Sequence, residues 1–390
     1  MTLGESTRSV HAGEDVGAHG SRPLEAPIVL SSAFAFASPE EAEGAFLGES
    51  DAYIYGRWGN PNVALAERKI AALEGAEAAA VVASGMAAVS GTLLTLLGAG
   101  DHLVAPRAIY GESARLFRER LPRLGIETTF VDDVTPEGYA AALRTSTRLL
   151  YLETPSNPTL AITDIRGVVG LAKDRSLATV LDNTFATPFC QRALPFGVDV
   201  VVHSATKFLS GHGDVIAGVA CGSARTVTAI RDTMVKGFGA ALSPFSAYLL
   251  ARGLRTFALR MRRATENAAR IARFLAEHPA VARIHHPSLP SHPGAAVAAA
   301  QMSAPPAILS FELHGGMDAG RELVRRVRLV SHAVSLGDTR TLLVHPASTT
   351  ASTLPEEDRR RAGITPGLLR LALGIEDAED LIHDLERALG

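Results

Sequence analysis

LATVLDNTFATPFCQRALPFGVDVVVHSATKFLSGHGDVIAGVACG, residues 177–222, holds the pattern that decides the fold. It contains three short apolar runs, LATVLDN, VDVVVHS and VIAGVACG, each followed by polar or glycine-rich sequence. Four further runs precede it: AEAAAVVAS (76–84), DHLVAPR (101–107), IETTFVD (126–132) and RLLYLET (148–154). Between them lie helical patterns such as NVALAERKIAALEG, MAAVSGTLLTLLGAG and ESARLFRERLPRLG. Short apolar runs alternating with helices indicate βα units and a mostly parallel sheet, here assigned to 61–245. From Ser243 the pattern changes to a long helical stretch with a bend near Gly253. A loop, VARIHHPSLPSHPG, and the strands AILSFELHG and LLRLALG follow, which makes 246–390 a smaller α+β domain. Residues 1–60 read as an irregular, turn-rich arm that packs on another surface; its DAYIYGRWGNPN segment ends in a turn signal.

Composition narrows the class. The 390 residues are 47% hydrophobic and 20% charged, with a net charge of −3, so there is a core to build and no basic field for nucleic acid. No apolar run approaches the roughly 20 residues of a membrane helix, and MTLGESTRSV lacks a secretory pattern, so a cytoplasmic enzyme is expected. Two cysteines, Cys190 and Cys221, leave no disulfide framework and no cysteine-based zinc site. Only four of the 38 basic residues are lysine: Lys69, Lys173, Lys207 and Lys236. In a chain so biased towards arginine, a lysine marks a place that needs a primary amine, which can form a Schiff base or act as a base. Lys69 reads as part of the solvated face of an amphipathic helix. Lys173 lies at a polar helix end, and Lys236 in a glycine-rich stretch. Lys207 directly follows an apolar run.

Open α/β sheets bind ligands at the carboxyl ends of their strands. Ser84-Gly85-Met86 joins a run to a helix, where glycine permits close approach and the helix N-terminus favours a phosphate; such turns are also common without a ligand. Asp182 ends another run, as a cap or a binding group. Ser204, Thr206 and Lys207 put two hydroxyls and an amine within four residues, and Tyr110 follows a further run, as a packing or stacking aromatic. Together these meet the needs of pyridoxal phosphate: a lysine for the Schiff base, an acid for the ring nitrogen, phosphate donors and a stacking face. Competing motifs are incomplete: Gly211-His-Gly213 has Ile216 where a dinucleotide fingerprint needs glycine, and neither a P-loop nor an H-E-x-x-H motif is present.

The motifs YGRWGNP, SGM, IYG, YLETPSNP, LDNTFATP, HSATKFLSGHGD, VSLGDTRTLLVHPAST and LRLALGIED occur in one order along nearly the whole chain. In this the sequence resembles the Cys/Met-metabolism group of pyridoxal-phosphate enzymes, which includes cystathionine γ-synthase, the γ-lyases and the homoserine-ester sulfhydrylases. The resemblance implies the fold-type I architecture. It implies that Lys207 holds the cofactor and shuttles protons, and that Asp182 pairs with the ring nitrogen. Gly85, Met86, Ser204 and Thr206 would hold the phosphate. Tyr110 would stack on the ring and act as acid or base, and Asn157 would contact the 3′ oxygen. Arg370 would clamp the substrate carboxylate, with Ser335 lining that site; on the residues alone, a structural carboxylate partner for Arg370 is the alternative. Tyr55 and Arg57 would reach the phosphate site of a neighbouring subunit, so that a homodimer is the minimal unit, usually paired into a tetramer.

The resemblance also implies a leaving group at Cγ and a vinylglycine-type intermediate. The leading expectation is γ-replacement on an O-acylhomoserine by sulfide, cysteine or another nucleophile; the alternative is a methionine or cystathionine γ-lyase. Val334 stands where cystathionine-using lyases often carry glutamate, which favours a less polar side chain or an ester. Ala351 stands where relatives commonly have histidine. Glu112 stands where they have glycine or cysteine: it is either a helix-start carboxylate or a group facing the distal substrate, the latter pointing to an unusual nucleophile. His285, His286 and His292 lie in a proline-rich loop without an acidic companion, and no metal is expected. His203 and His212 are expected to hydrogen-bond locally.

Overall fold

The computed structural model describes residues 3–14 and 23–390. All seven apolar runs are strands: β1 (Ala78–Val82), β2 (His102–Pro106), β3 (Glu127–Val131), β4 (Thr147–Glu153), β5 (Ala178–Asp182), β6 (Val200–His203) and β7 (Gly218–Gly222). They form one sheet in the order β1-β7-β6-β5-β4-β2-β3, parallel except that β7 runs against both its neighbours. The central runs are apolar because both faces are covered, while the edge strand β3 is only partly buried. Leu150, Leu181 and Val201 enter one core, while Tyr151, Val180, Val200 and Val202 enter the other. Local signals set the helix starts. The Asn60 side chain accepts from the Asn62 amide ahead of helix Pro61–Glu74, and Ser84 Oγ accepts from the Ala87 amide at the start of helix Gly85–Leu96.

The C-terminal region carries a second, five-stranded sheet, with β8 (Val281–His285), β9 (Ile308–Leu313), β10 (Ser331–His332), β11 (Leu342–Val344) and β12 (Leu368–Ala372) in the order β10-β11-β12-β9-β8. Helices Phe257–Glu277 and Ala378–Leu389 cover it through Ile271, Leu275, Leu381 and Leu385. Asp384 of the latter helix accepts from the backbone amides of Arg328, Leu329 and Val330, which anchors the segment entering β10. Ile308 and Ala372 pack in the same core as Leu181 and Leu209, so the two sheets sit on a shared apolar base. No helix among the described residues is long and apolar enough to cross a membrane.

Several details differ from the sequence reading. The long helical stretch is two helices, Pro244–Leu254 and Phe257–Glu277, broken at Arg255 and Thr256 rather than bent at Gly253. The segment read as a histidine-rich loop begins as β8. There His285 Nε2 meets Glu312 at 2.7 Å, and the next residue, His286, is buried between Ser288 Oγ and the Pro306 carbonyl. Among the described residues no cluster of histidine, cysteine and acidic groups could hold a metal. The arm contains two helices, Glu5–His11 and Pro39–Leu47, the second capped by Ser38 with proline in its first turn. Lys69 is not solvated. Its side chain is 1% exposed, with Nζ donating to the Val10 carbonyl at 2.7 Å and paired with Glu14 at 3.0 Å. Arg255 joins the same Glu14 at 2.8 Å, so the N-terminal segment is fastened over the helix face that sequence pattern assigns to solvent.

Candidate active site

The carboxyl ends of β4, β5 and β6 face the start of helix Gly85–Leu96 and the loop between β10 and β11. The amides of Gly85 and Met86 have no acceptor within their helix and carry the positive end of its dipole. They lie against Ser204: a Cβ added to Gly85 would come within 2.7 Å of Ser204 Cβ and 3.0 Å of its Oγ. Only glycine permits this cradle of helix amides and hydroxyl, which suits a phosphate. Thr206 lies on the same turn as Ser204 and Lys207. Its hydroxyl donates to the Ala217 carbonyl at 3.1 Å and accepts from the Ala217 amide at 3.0 Å, so its one proton is engaged in holding the turn that carries Lys207.

Lys207 Nζ donates to Ser335 Oγ at 2.9 Å. Burial lowers the basicity of this amine, and the nearby Arg370 charge lowers it further. The contact depends on Gly337, whose φ is +75° and whose added Cβ would sit 2.4 Å from the Phe208 amide nitrogen and 3.0 Å from Lys207 Cα. Arg370 reaches in from β12. One terminal nitrogen donates to Asn157 Oδ1 at 2.8 Å and the other to the Ser335 carbonyl at 3.2 Å. Among the described residues its Nε is buried without a partner, and the guanidinium forms no salt bridge. Burial pulls this guanidinium down to about 10. The structural-carboxylate alternative therefore has no partner among the described residues.

Asp182 does not cap a helix: its Oδ1 accepts from the Thr184 amide at 3.0 Å, two residues on, in a local turn. Thr184 Oγ1 in turn accepts from the Ser204 amide at 2.9 Å, which locks the Asp182 and Ser204 loops together. Burial raises the Asp182 carboxyl, against the hydrogen bonds from Thr184 and the influence of His203. His212 Nδ1 meets the Ser210 carbonyl at 2.7 Å, a local contact as expected, whereas His203 is buried with Nε2 2.5 Å from Glu74 Oε1, a residue distant in the sequence.

Glu153 is the residue that sequence reasoning passed over, although it lies inside the quoted YLETPSNP motif. It is directly opposite Asp182 in the β4–β5 register. Its two oxygens accept from the amides of Tyr110, at 2.9 Å, and Asn157, at 3.0 Å. One buried carboxyl thus fixes both loops that carry those residues. Burial, and then the charge of Asp182, push it well above the ordinary carboxylate range. A polar residue closing an apolar run was the available signal.

Tyr110 stands at the rim, 45% exposed, with its phenol raised first by burial and then by the neighbouring Glu112. Glu112 is exposed in the first turn of the short helix Gly111–Arg115, and Val334 is 64% exposed beside Ser335. Ala351 is buried in a small apolar cluster with Ile364 and Leu368. Tyr55 and Arg57 are not joined to the Lys207 group within the chain: Tyr55 is exposed and Arg57 donates to the Lys236 carbonyl.

An amine, a carboxylate at a strand end and an amide-lined cradle meet here on a mostly parallel sheet. They fit pyridoxal phosphate: the cradle its phosphate, Asp182 its ring nitrogen and Lys207 its aldehyde carbon. Fold and site define a pyridoxal-phosphate-dependent enzyme of fold type I. The family model for Cys/Met metabolism PLP-dependent enzymes matches residues 6–390, and the chain belongs to that family. It is 45% identical over 391 residues to an L-methionine gamma-lyase of Porphyromonas gingivalis, covering 100% of this chain and 98% of that one. It is 41% identical over 366 residues to an O-succinylhomoserine sulfhydrylase of Mycobacterium tuberculosis, covering 93% and 90%. Among solved structures, cystathionine gamma synthase from Xanthomonas oryzae pv. oryzae, in complex with aminoacrylate and cysteine, superposes with a TM-score of 0.93 at 40% identity, covering 100% of this chain and 98% of that one.

Proposed function

We propose that the chain breaks the bond between Cγ and its heteroatom in an L-α-amino acid, and that γ-elimination from a methionine-type substrate is the main outcome. Arg370 carries the reading. It is a buried guanidinium with only neutral partners and an unpartnered Nε, set beside the Lys207–Ser335 contact, and an α-carboxylate supplies the charge it lacks. A substrate held there presents its Cα to Lys207. The lowered basicity of that amine favours a free base that can take the Cα proton and then a Cβ proton, with Ser335 Oγ orienting it. The bound cofactor supplies an electron sink for the carbanion at Cα. Tyr110 at the rim donates a proton to the departing heteroatom. Val334, exposed and apolar, suits a thioether, and full-length similarity to a methionine gamma-lyase shifts the weight from replacement to elimination.

The second reading is γ-replacement on an O-acylhomoserine by sulfide, cysteine or another nucleophile. Glu112 favours it, as an exposed carboxylate beside Tyr110 able to receive the ammonium group of a second reactant. In either reading a homodimer is the minimal unit: Tyr55 and Arg57 serve a neighbouring site, and the exposed Leu24, Ile28 and Leu30 of the arm are covered by the partner.

Product analysis tests both. Methionine, O-acetylhomoserine and O-succinylhomoserine are each supplied with and without sulfide or cysteine. Methanethiol, 2-oxobutanoate and ammonia from methionine, indifferent to added nucleophile, is the expected result. A new thiol or thioether that grows at the expense of 2-oxobutanoate establishes the second reading. No turnover of any of the three overturns both.

A further inference from the structure

Tyr151 lies two residues before Glu153 on β4, and Asp182 closes the adjacent β5. The register pairs Tyr151 with Val180 and Glu153 with Asp182. Side chains alternate along a strand, so Tyr151 and Asp182 occupy the same face, one strand apart and two positions offset. Such diagonal neighbours are about 7–8 Å apart at the backbone, which a phenol can span.

The ring is held firmly. Tyr151 is wholly buried, packs edge-on against Phe117 with centroids 4.9 Å apart, and has its carbonyl tied to the Tyr139 hydroxyl at 2.9 Å. Its own hydroxyl is buried and has no well-formed hydrogen bond among the described residues, although the Asp182 carboxylate and the Ser113 hydroxyl lie close enough to act on it. Ser113 turns its proton towards Met86 Sδ, at 3.8 Å. A buried polar group without a partner is costly and calls for an explanation. Asp182, for its part, is a desolvated carboxylate with one well-formed hydrogen bond among the described residues, from the Thr184 amide, and the Tyr151 phenol lies close enough to act on it. The donor that Asp182 lacks and the acceptor that Tyr151 lacks face each other.

We propose that Tyr151 is a positioning residue, whose phenol donates to the Asp182 carboxylate, fixes its aim at the cofactor ring and favours its anionic form. The inference rests on the reading of Asp182 as the partner of the ring nitrogen. It separates Tyr151 from Tyr139, an equally buried phenol whose hydrogen bond is to the backbone only.

The test titrates pyridoxal phosphate into protein stripped of cofactor and follows the visible band, for the parent, Tyr151→Phe, Tyr139→Phe, Asp182→Asn and the double variant Tyr151→Phe/Asp182→Asn. Loss of one hydrogen bond to a charged group weakens cofactor binding about tenfold in Tyr151→Phe and changes the visible band. The same variant lowers kcat and leaves KM for the amino acid unchanged. The melting temperature of its stripped form stays level or rises, because Phe removes an unsatisfied hydroxyl. Tyr139→Phe melts earlier but binds cofactor as the parent does. In the Asp182→Asn background, Tyr151→Phe adds nothing. A parent that binds cofactor while Tyr151→Phe matches it within about twofold overturns the inference alone, as does an equal loss in the Asp182→Asn background. A parent that takes up no pyridoxal phosphate overturns the site reading and the inference with it.

Discussion

Glu153→Gln tests whether one buried carboxyl sets the geometry of the site. Its two oxygens accept the amides of Tyr110 at 2.9 Å and Asn157 at 3.0 Å. The protonation state of Glu153 does not change the argument. Both oxygens of a carboxyl carry lone pairs in either form, whereas the nitrogen of a carboxamide carries none. Gln therefore satisfies one amide and points N–H groups at the other, leaving a buried donor unpaired at a cost of about 1–3 kcal/mol. Relief of the repulsion with Asp182 offsets part of this. At about 2.1 cal/mol/K per residue, a net loss near 2 kcal/mol lowers the melting temperature of a chain this long by about 2–3 °C. The effect on turnover is larger, because displacing a reacting or orienting group by about 1 Å costs about a hundredfold. The displaced loop carries either Tyr110, which we propose serves the leaving group, or Asn157, which accepts from Arg370. The assay is a melt together with steady-state kinetics on whichever substrate the product analysis identifies. A lowered melting temperature with kcat and KM within about twofold of the parent would refute the reasoning, since the carboxyl would then be structural only.

Two further substitutions probe other parts of the chain. Arg370→Lys keeps a charge but loses the two-pronged grip, so KM for the amino acid rises by about tenfold or more while the visible band of the bound cofactor is unchanged; titration and kinetics on one preparation separate the two. Asp384 reports on pH. Burial alone would raise its carboxyl, but the amides of Val330, Arg328 and Leu329 together with Arg387 outweigh it and hold the carboxyl below its ordinary range. A depressed folded-state value stabilises the fold above the unfolded value of about 3.9, and that contribution is lost as pH falls through the folded one. Asp384→Asn accordingly melts below the parent at pH 7, and the gap closes in acid; a constant gap down to about pH 2 refutes the assignment.

Most strands of the large sheet were legible because they are buried on both faces and read as near-continuous apolar runs; β3, at the sheet edge, is the exception. For the same reason the polar residues that end those runs, Asp182, Ser204 and Lys207, stood out as the site. The second sheet was half legible. β9 and β12 are long and apolar, whereas β10 and β11 are two and three residues long, and β8 alternates polar side chains at an edge. Distant contacts left no local mark. Lys69 obeys the period of a solvated helix face, but the N-terminal segment covers it. The Thr206–Ala217 hydrogen bonds, which hold the turn carrying Lys207, likewise join positions eleven residues apart. Tyr151 and Glu153 were hidden by their setting, a strand whose other members are core residues.

The burial of Lys69 also makes this chain unusually simple for amine-directed reagents. Of the four lysines, Lys69 is sealed in an ion pair and Lys207 is partly buried against Ser335, which leaves Lys173 and Lys236 as the exposed ones. An aldehyde or active ester added in excess thus has two lysine side chains to label on the surface. Replacing both with arginine yields a protein in which any lysine adduct maps to the cofactor site. Mass spectrometry of the intact chain could then count occupancy directly.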